Sequence, residues 1–235
     1  MGNGIYVAMS GAVAQDRALD VVANNVANAR TTGYRAERIA FNEVLNEKGQ
    51  LSYVQADRTA MDDTHGALVA TDNAMDLALE GDGWFSIQTP QGTRYTRDGA
   101  FSLDADGILV DGSGNSVRGA GGAEILVPPD AAYVSIDSEG NVYADEDPVG
   151  QIEVVRFDDK QLTREGANLF RASGRPVRDE LPAVVSGYLE SSNFDTIRGM
   201  VDLVRISRTY ESLHRMIENY REIDQRTARD IGGPR

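Results

Sequence analysis

The chain of 235 residues is long enough for one sizeable domain or two small ones, and its 41% hydrophobic and 26% charged residues can bury a core. A net charge of −14 makes nucleic acid and anionic membrane surfaces poor partners, because binding a polyanion needs a basic footprint. The chain has no cysteine, which excludes a disulfide framework and a thiolate metal site.

The charge is unevenly distributed along the chain. Residues 1–38 carry four arginines against three acids, and residues 195–235 carry eight against seven, so each end has a net charge of +1. The total of −14 therefore leaves −16 for residues 39–194. This contrast predicts that the ends and the middle have different roles.

The N-terminal segment, from about Asn3 to Asn28, is predicted to be a helix. Asn3 can cap it, and Gly33 can end it in a left-handed conformation. Its apolar residues form a narrow seven-residue seam typical of a coiled coil, made of Ile5, Met9, Ala12, Leu19, Ala23 and Val26.

The C-terminal segment, from about Asn193 to Thr227, is predicted to be a longer helix. Ser191, Ser192 and Asn193 are candidate caps, and Asp195 suits the positive end of the helix dipole. Apolar residues alternate by three and four along it, at Leu203, Ile206, Tyr210, Leu213, Ile217 and Tyr220, with Ile197, Met200, Val201 and Val204 extending the stripe upstream.

Between the helices the period changes to two, which indicates strands. Residues 101–107 and 134–140 form a weak repeat in which alternating residues lead into a turn ending in glycine, as in a hairpin. The predicted fold is α+β, with long terminal helices pairing as a coiled-coil-like bundle and with a central antiparallel all-β domain. The predicted divisions are an N-terminal assembly helix with an Asn-rich turn over 1–34, a linker or irregular arm over 35–71, the β domain over 72–190 and a C-terminal assembly helix over 191–235.

Motifs for chemistry are missing from the sequence. With only two histidines, His65 and His214, and no cysteine, a structural zinc site is a poor interpretation, and His65 is better explained as part of a polar loop. Residues 104–111 resemble part of a calcium loop, but the positions that need glycine and a bidentate acid hold Leu109 and Asn115. No nucleotide-binding or nucleophile motif is present. We therefore predict no cofactor, no metal and no enzymatic activity.

The segment from Ala23 to Tyr34, read as ANNVANARTTGY, is rich in asparagine, which favours helices poorly. It could be a frayed helix end, or its amides could bond backbone or neighbouring subunits where the helix leaves a bundle. The same segment resembles the N-terminal signature of flagellar rod and hook proteins. Residues 71–85 and 95–101 are similar to the central block of that family, and residues 187–193 with Met200 and Val201 to its C-terminal signature.

The resemblance implies a structural subunit of the bacterial flagellar basal-body rod, which polymerises through its terminal helices and transmits torque from motor to hook. Residues 5–9 and the short chain resemble the proximal-rod F member more than the distal-rod G member. The implied partners are copies of itself, other rod subunits and the flagellar type III export apparatus, without membrane insertion.

The implied location is the periplasm-spanning rod, reached without a cleaved signal peptide. The opening MGNGIYVAMSGA indeed lacks the basic and apolar regions of a secretory signal. A periplasmic hydrolase and a secreted binding module are the alternatives from other classes. The predicted assembly interface consists of Ile5, Met9, Ala12, Leu19, Val26, Asn24, Asn25, Asn28, Thr32, Gly33, Ser191, Ser192, Asn193, Leu203, Ile206, Tyr210, Leu213, Ile217 and Tyr220.

Overall fold

The computed structural model describes residues 3–45, 52–157, 161–177 and 181–232. Two long helices lie near the ends of the chain, α1 at Asn3–Ala27 and α2 at Thr196–Gly232. The strands between them are β1 Glu37–Leu45, β2 Ser52–Met61, β3 Leu68–Ala70, β4 Leu77–Glu80, β5 Trp84–Thr89, β6 Gly92–Thr96, β7 Ser102–Leu103, β8 Leu109–Val110, β9 Ser116–Val117, β10 Val134–Ile136, β11 Asn141–Ala144, β12 Asp147–Gln151, β13 Val154–Val155, β14 Leu162–Arg164, β15 Leu169–Ala172, β16 Ala183–Ser186 and β17 Tyr188–Glu190.

The chain divides into two compact units, each of which is discontinuous in sequence. The helical unit combines residues 1–27, 36–62 and 194–235, and the β unit combines residues 28–35 and 63–193. Strand pairing in the described residues is antiparallel throughout. The prediction of an α+β fold, with terminal helices and an antiparallel β domain, is confirmed.

In the helical unit, α1 and α2 pack against each other with small residues on α1 facing large ones on α2. Ala8, Ala12 and Ile217 form a buried cluster, against which Ile5, Tyr210 and Leu213 also pack. Two glycines of α1 keep the helices close: a Cβ built on Gly11 would lie 3.4 Å from the Leu213 side chain, and one on Gly4 would lie 2.8 Å from the Tyr220 ring. Gly4 lies against Tyr220, whereas Gly11, which is further along α1, lies against the earlier residue Leu213. The two helices therefore run antiparallel.

The segment predicted to be a linker or irregular arm contains a hairpin instead. Strands β1 and β2 pair along their whole lengths, from Glu37 opposite Met61 to Leu45 opposite Ser52, with one register shift after Ala40. Asn25, which is buried on α1, holds the base of this hairpin, because its amide donates to the Glu37 carbonyl at 2.8 Å and accepts from the Glu37 amide at 2.9 Å. The Asn25 amide thus makes the same pair of hydrogen bonds with Glu37 that a residue on a neighbouring strand would make.

The β unit is built on an eight-stranded sheet, with the order β14–β15–β6–β5–β9–β8–β7 and with β13 also paired to β5. A three-stranded sheet β10–β11–β12 and the pairs β16–β4 and β17–β3 accompany it. One apolar core joins the eight-stranded sheet, the three-stranded sheet and the β16–β4 pair, and it includes the fully buried side chains of Leu77, Phe85, Ile87, Leu109, Val117 and Val142.

The two repeated turns form as predicted, and aspartate side chains build them. The Asp104 and Asp137 carboxylates accept backbone N–H groups two and four residues further along the chain, at 2.8–2.9 Å. Gly107 and Gly140 take φ values of +82° and +79°, which a residue with a Cβ adopts at a cost. The turn at Asp111 repeats this arrangement, with Gly114 at φ +80°. Two carboxylates of the calcium-like segment, those of Asp104 and Asp111, therefore accept hydrogen bonds within turns.

Helix α2 begins at Thr196, later than predicted, and Asp195 is the residue that caps it. The Asp195 carboxylate accepts the backbone N–H groups of Ile197 at 2.9 Å and Arg198 at 3.2 Å, which satisfies two free donors of the first turn. The prediction that Ser191, Ser192 and Asn193 are caps is wrong, since these residues lie three or more positions before the first helical turn.

Candidate assembly surface and buried charged cluster

The residues predicted as the C-terminal seam face α1 within the same chain. Ile206 and Ile217 are buried, and Leu203, Tyr210, Leu213 and Tyr220 are half-buried. On α1, Ala12 and Ile5 belong to this intrachain packing, and Val26 lies beside Gly199 of α2, where a built Cβ would be 3.0 Å from it. Leu19 is half-buried. Met9 differs from them, because it is exposed and lies on the outward side of α1. The contact of these seam residues with neighbouring subunits stays a prediction.

A second apolar stripe lies on the outward side of α2 and has no counterpart among the predicted interface residues. Ile197, Met200, Val201 and Val204 are exposed by 53% or more and recur by three and four, so they share one helix face. Met200, Val201 and Val204 line a shallow groove of about 600 Å³ together with Arg205 and Arg208. Exposed Tyr6 and Val13 accompany Met9 on α1. Both helices therefore present apolar side chains to the outside while their inner faces are already packed.

The N-terminal and C-terminal signature segments meet inside the β unit. The Gly33 amide donates to the Glu190 carbonyl at 2.8 Å, and the Asn193 amide lies 3.4 Å from the Tyr34 carbonyl. Gly33 has φ +64°, and a Cβ there would lie 2.3 Å from the backbone nitrogen of Asp98. Only glycine fits this close approach to the central block.

Beneath this meeting point lies a buried charged cluster, which consists of Arg35, Arg97 and Glu190, and the 42% exposed side chain of His65 lies against its edge. Glu190 Oε1 is 3.1 Å from Arg35 Nη2, and Glu190 Oε2 is 3.3 Å from Arg97 Nε; all three side chains are at most 4% exposed. His65 Nδ1 lies 2.8 Å from Arg35 Nη2 and 2.6 Å from Arg97 Nη2. Because arginine can only donate, Nδ1 is the acceptor and Nε2 carries the hydrogen that faces Asp82 at 3.2 Å.

The cluster joins four separate stretches of chain through one carboxylate. Glu190 Oε1 also accepts the backbone N–H of Gly66 at 3.0 Å, and Arg97 Nη2 donates to the Gly81 carbonyl at 2.8 Å. Burial lowers the pKa of Arg97 to about 10, with the neighbouring Arg35 acting in the same direction and Glu190 opposing it. Two buried cations thus share one buried anion, and the negative charge of Glu190 offsets the free-energy cost of removing the two guanidinium groups from water.

A second polar network ties Thr32 to the central block. The Thr32 hydroxyl donates to Asp98 Oδ1 at 2.7 Å, and the Asn168 amide donates to Asp98 Oδ2 at 2.7 Å. The Ala100 backbone N–H adds a third hydrogen bond to Asp98, at 3.2 Å. Burial nevertheless raises the pKa of Asp98, because these hydrogen bonds compensate the lost hydration of the carboxylate only in part.

The remaining predicted residues have internal partners as well. Asn28 accepts from the Thr31 hydroxyl at 3.2 Å, and Asn193 donates to the Thr64 carbonyl at 2.8 Å. Ser191 donates its backbone N–H to Ala67 at 2.9 Å, and Ser192 lies half-buried beside it. Asn24 is exposed on α1. Contacts of these residues with neighbouring subunits remain untested.

Neither a metal site nor a membrane span stands out in the described parts of the chain. No three His, Cys, Asp or Glu side chains come together there in a way that could hold a metal ion. Neither α1 nor α2, as described, has an apolar run long enough to cross a bilayer.

The three buried residues of the cluster, Arg35, Arg97 and Glu190, were not identified from the sequence. A signal was available, since Arg97 lies in the central block and Glu190 in the C-terminal signature, where charged residues stand beside strand-forming ones. Val204 and its outward neighbours were recognised as apolar, but not as a face separate from the seam.

Comparisons with known proteins agree with this architecture. Three family profiles match the chain in order: "Flagella basal body rod protein" over residues 5–35, "Flagellar hook protein FlgE/F/G D1 domain" over residues 78–144 and "Flagellar basal body rod FlgEFG protein C-terminal" over residues 185–230.

Curated relatives extend the similarity over nearly the whole chain. The flagellar basal-body rod protein FlgF of Caulobacter vibrioides is 34% identical over 99% of both chains, and that of Mesorhizobium japonicum is 34% identical over 90% of both. The rod protein FlgG of Bacillus subtilis is 32% identical over 94% of this chain and 96% of its own. These are structural proteins rather than enzymes, in agreement with the lack of catalytic motifs. The chain belongs to the flagellar basal-body rod protein family.

Proposed function

We propose that the chain is a structural subunit of the proximal flagellar rod, which polymerises through its terminal helices and transmits torque from motor to hook. The FlgF relatives of Caulobacter and Mesorhizobium are each 34% identical to the chain, against 32% for the Bacillus FlgG relative, which supports the F member. The proposed partners are copies of this chain, other rod subunits and the type III export apparatus. The proposed location is the periplasm-spanning rod, reached without a cleaved signal peptide.

The observation that carries this proposal is the outward apolar stripe of α2. Its four aliphatic side chains stay exposed although α2 already packs on α1 through its other face. Because these side chains are 53–78% exposed, covering each of them would contribute about 1–2 kcal/mol, and a polymer repeats that gain at every subunit. The inner faces pair in a coiled-coil-like manner, which prepares a two-helix element that neighbouring subunits can pack against.

Val204→Asp tests this division between inner and outer faces. The substitution places a carboxylate at the C-terminal end of the stripe, where a neighbouring helix would bury it, so we expect loss of rod assembly and swimming with little change in the melting temperature of the isolated chain. Asn219→Asp adds the same charge at an exposed position further along α2 and should leave swimming intact.

Leu213→Asp supplies the opposite control. Leu213 packs on Gly11 and on the cluster of Ala8, Ala12 and Ile217, so its replacement should separate the helices already in the isolated chain and reduce its helical circular dichroism. Normal swimming of a Val204→Asp strain would show that the outer stripe takes no part in assembly.

The distal-rod role of the G member is the second candidate, because the Bacillus FlgG relative is also 32% identical. Complementation separates the two roles. We expect the chain to restore swimming in a strain that lacks the F member and to fail in one that lacks the G member; the reverse pattern would assign the distal role.

A further inference from the structure

The outward faces of α1 and α2 carry two apolar patches of similar length and spacing. Tyr6, Met9 and Val13 form the N-terminal patch and are 44–60% exposed. Ile197, Met200, Val201 and Val204 form the α2 patch and are 53–78% exposed. Each patch spans seven residue steps with members at the first, fourth and eighth positions, which is about 10 Å along a helix.

The two patches lie at opposite ends of the helix pair. Gly11 faces Leu213, and Gly199 faces Val26 at the other end, so α1 and α2 are antiparallel along their shared length. Met9 is therefore level with about residue 215 of α2. Val201 lies about 14 residues from that level, which corresponds to about 21 Å along the helix axis. The patches of one chain are too far apart to cover each other.

We propose that the N-terminal patch of one copy packs antiparallel on the α2 patch of the next copy. This inference rests on the proposed function and adds the partner and the register of the contact. With Met9 opposite Val201, Tyr6 comes opposite Val204 and Val13 opposite Ile197. Successive copies are then displaced by about 21 Å along the helix pair.

The arrangement of the patches favours a contact between the two different patches over a symmetric contact between two copies of the same patch. If each patch met its own copy, the contact would be isologous and would close into a dimer. A contact between two different patches at opposite ends leaves one of each free, so it continues into an open helical assembly. Arg205 and Arg208, which line the groove beside the α2 patch, also support this contact, since their aliphatic stems extend its apolar surface for a large side chain such as Tyr6.

The size of the patches explains why the contact belongs to the rod rather than to a free dimer. A stable complex usually buries about 800 Å² on each partner, which three or four side chains fall short of. The free chain is therefore expected to be monomeric, and the contact to be strong only where each subunit makes it twice within an assembly.

Cysteine cross-linking tests the register, since the chain has no native cysteine. Met9→Cys and Val201→Cys chains are produced together in a strain lacking the native F member. Isolated basal bodies are treated with a short bismaleimide, and the linked peptides are sequenced by mass spectrometry. The expected link joins residue 9 of one copy to residue 201 of another. Either variant alone should give no link.

Arg215→Cys with Met9→Cys is the matched control, because Arg215 is exposed on α2 at the level of Met9 in the same chain. The proposed register leaves it about 21 Å from the neighbouring Met9, so no link between copies is expected. Links in either single variant would mean that like patches meet, which overturns the proposal. Assembled basal bodies that contain both variants without a 9–201 link would overturn it as well. The proposed function itself fails only if the unmodified chain never enters basal bodies.

Discussion

Glu190→Gln removes the negative charge that lies between the two buried cations Arg35 and Arg97. Glutamine keeps the shape of the side chain and can still accept the Gly66 backbone N–H through Oε1, so the substitution isolates the charge. The carboxylate lies 3.1 and 3.3 Å from the two guanidinium groups, and all three side chains are almost fully buried. Removal of one partner from a buried ion pair costs about 3–5 kcal/mol.

The assay is denaturant unfolding followed by tryptophan fluorescence. The single tryptophan, Trp84, is buried in the β unit, so its signal reports that unit. We expect Glu190→Gln to lower the free energy of unfolding by about 3–5 kcal/mol. Glu165→Gln is the control, because Glu165 pairs with Arg94 and Arg171 at a partly exposed site and should cost about 1 kcal/mol or less. If the two variants lose equal stability, the buried cluster does not hold the signature segments together.

Two further predictions concern the same region. Gly33→Ala should destabilise the β unit far more than Gly114→Ala in the same fluorescence assay: both sites have positive φ, but only at Gly33 would a Cβ meet backbone, 2.3 Å from the Asp98 nitrogen. Equal losses would argue against the close approach. The raised pKa of Asp98 means that the folded state favours the protonated acid, so its contribution to stability is largest at low pH and declines as pH rises through its ordinary value of 3.8 towards the raised value. Measured relative to Asp98→Asn, the unfolding free energy of the unaltered chain should fall as the pH rises from the ordinary value of 3.8 towards the raised pKa of Asp98, and a rise would contradict the burial argument.

The helices were predictable because their apolar spacing is regular over many turns. The apolar residues from Leu203 to Tyr220 recur every three or four positions, which indicates one continuous helix face, and that face packs on α1. The spacing does not say which face meets the same chain and which meets a neighbour. The outward residues Met200, Val201 and Val204 have the same spacing of three and four residues. The sequence alone therefore does not separate the outward face from the face that packs on α1.

The hairpin of β1 and β2 was missed for a different reason. Its residues near Phe41 lack a clean alternation of apolar and polar side chains, and its base depends on a contact distant in sequence, from Asn25 to Glu37. The buried cluster was missed because charged residues are normally exposed, and only the folded chain brings Arg35, Arg97 and Glu190 within ion-pair distance. Asn25, by contrast, was singled out for its amide, and that amide does bond backbone.

The central claim, that outward helix faces join subunits into a rod, is tested most directly by electron cryomicroscopy of basal bodies that contain this chain. At side-chain resolution, we expect a neighbouring helix packed over Met200, Val201 and Val204, with the α1–α2 contact at Leu213 unchanged within each subunit. Density that leaves this stripe open to solvent, with subunits joined only through the β unit, would contradict it.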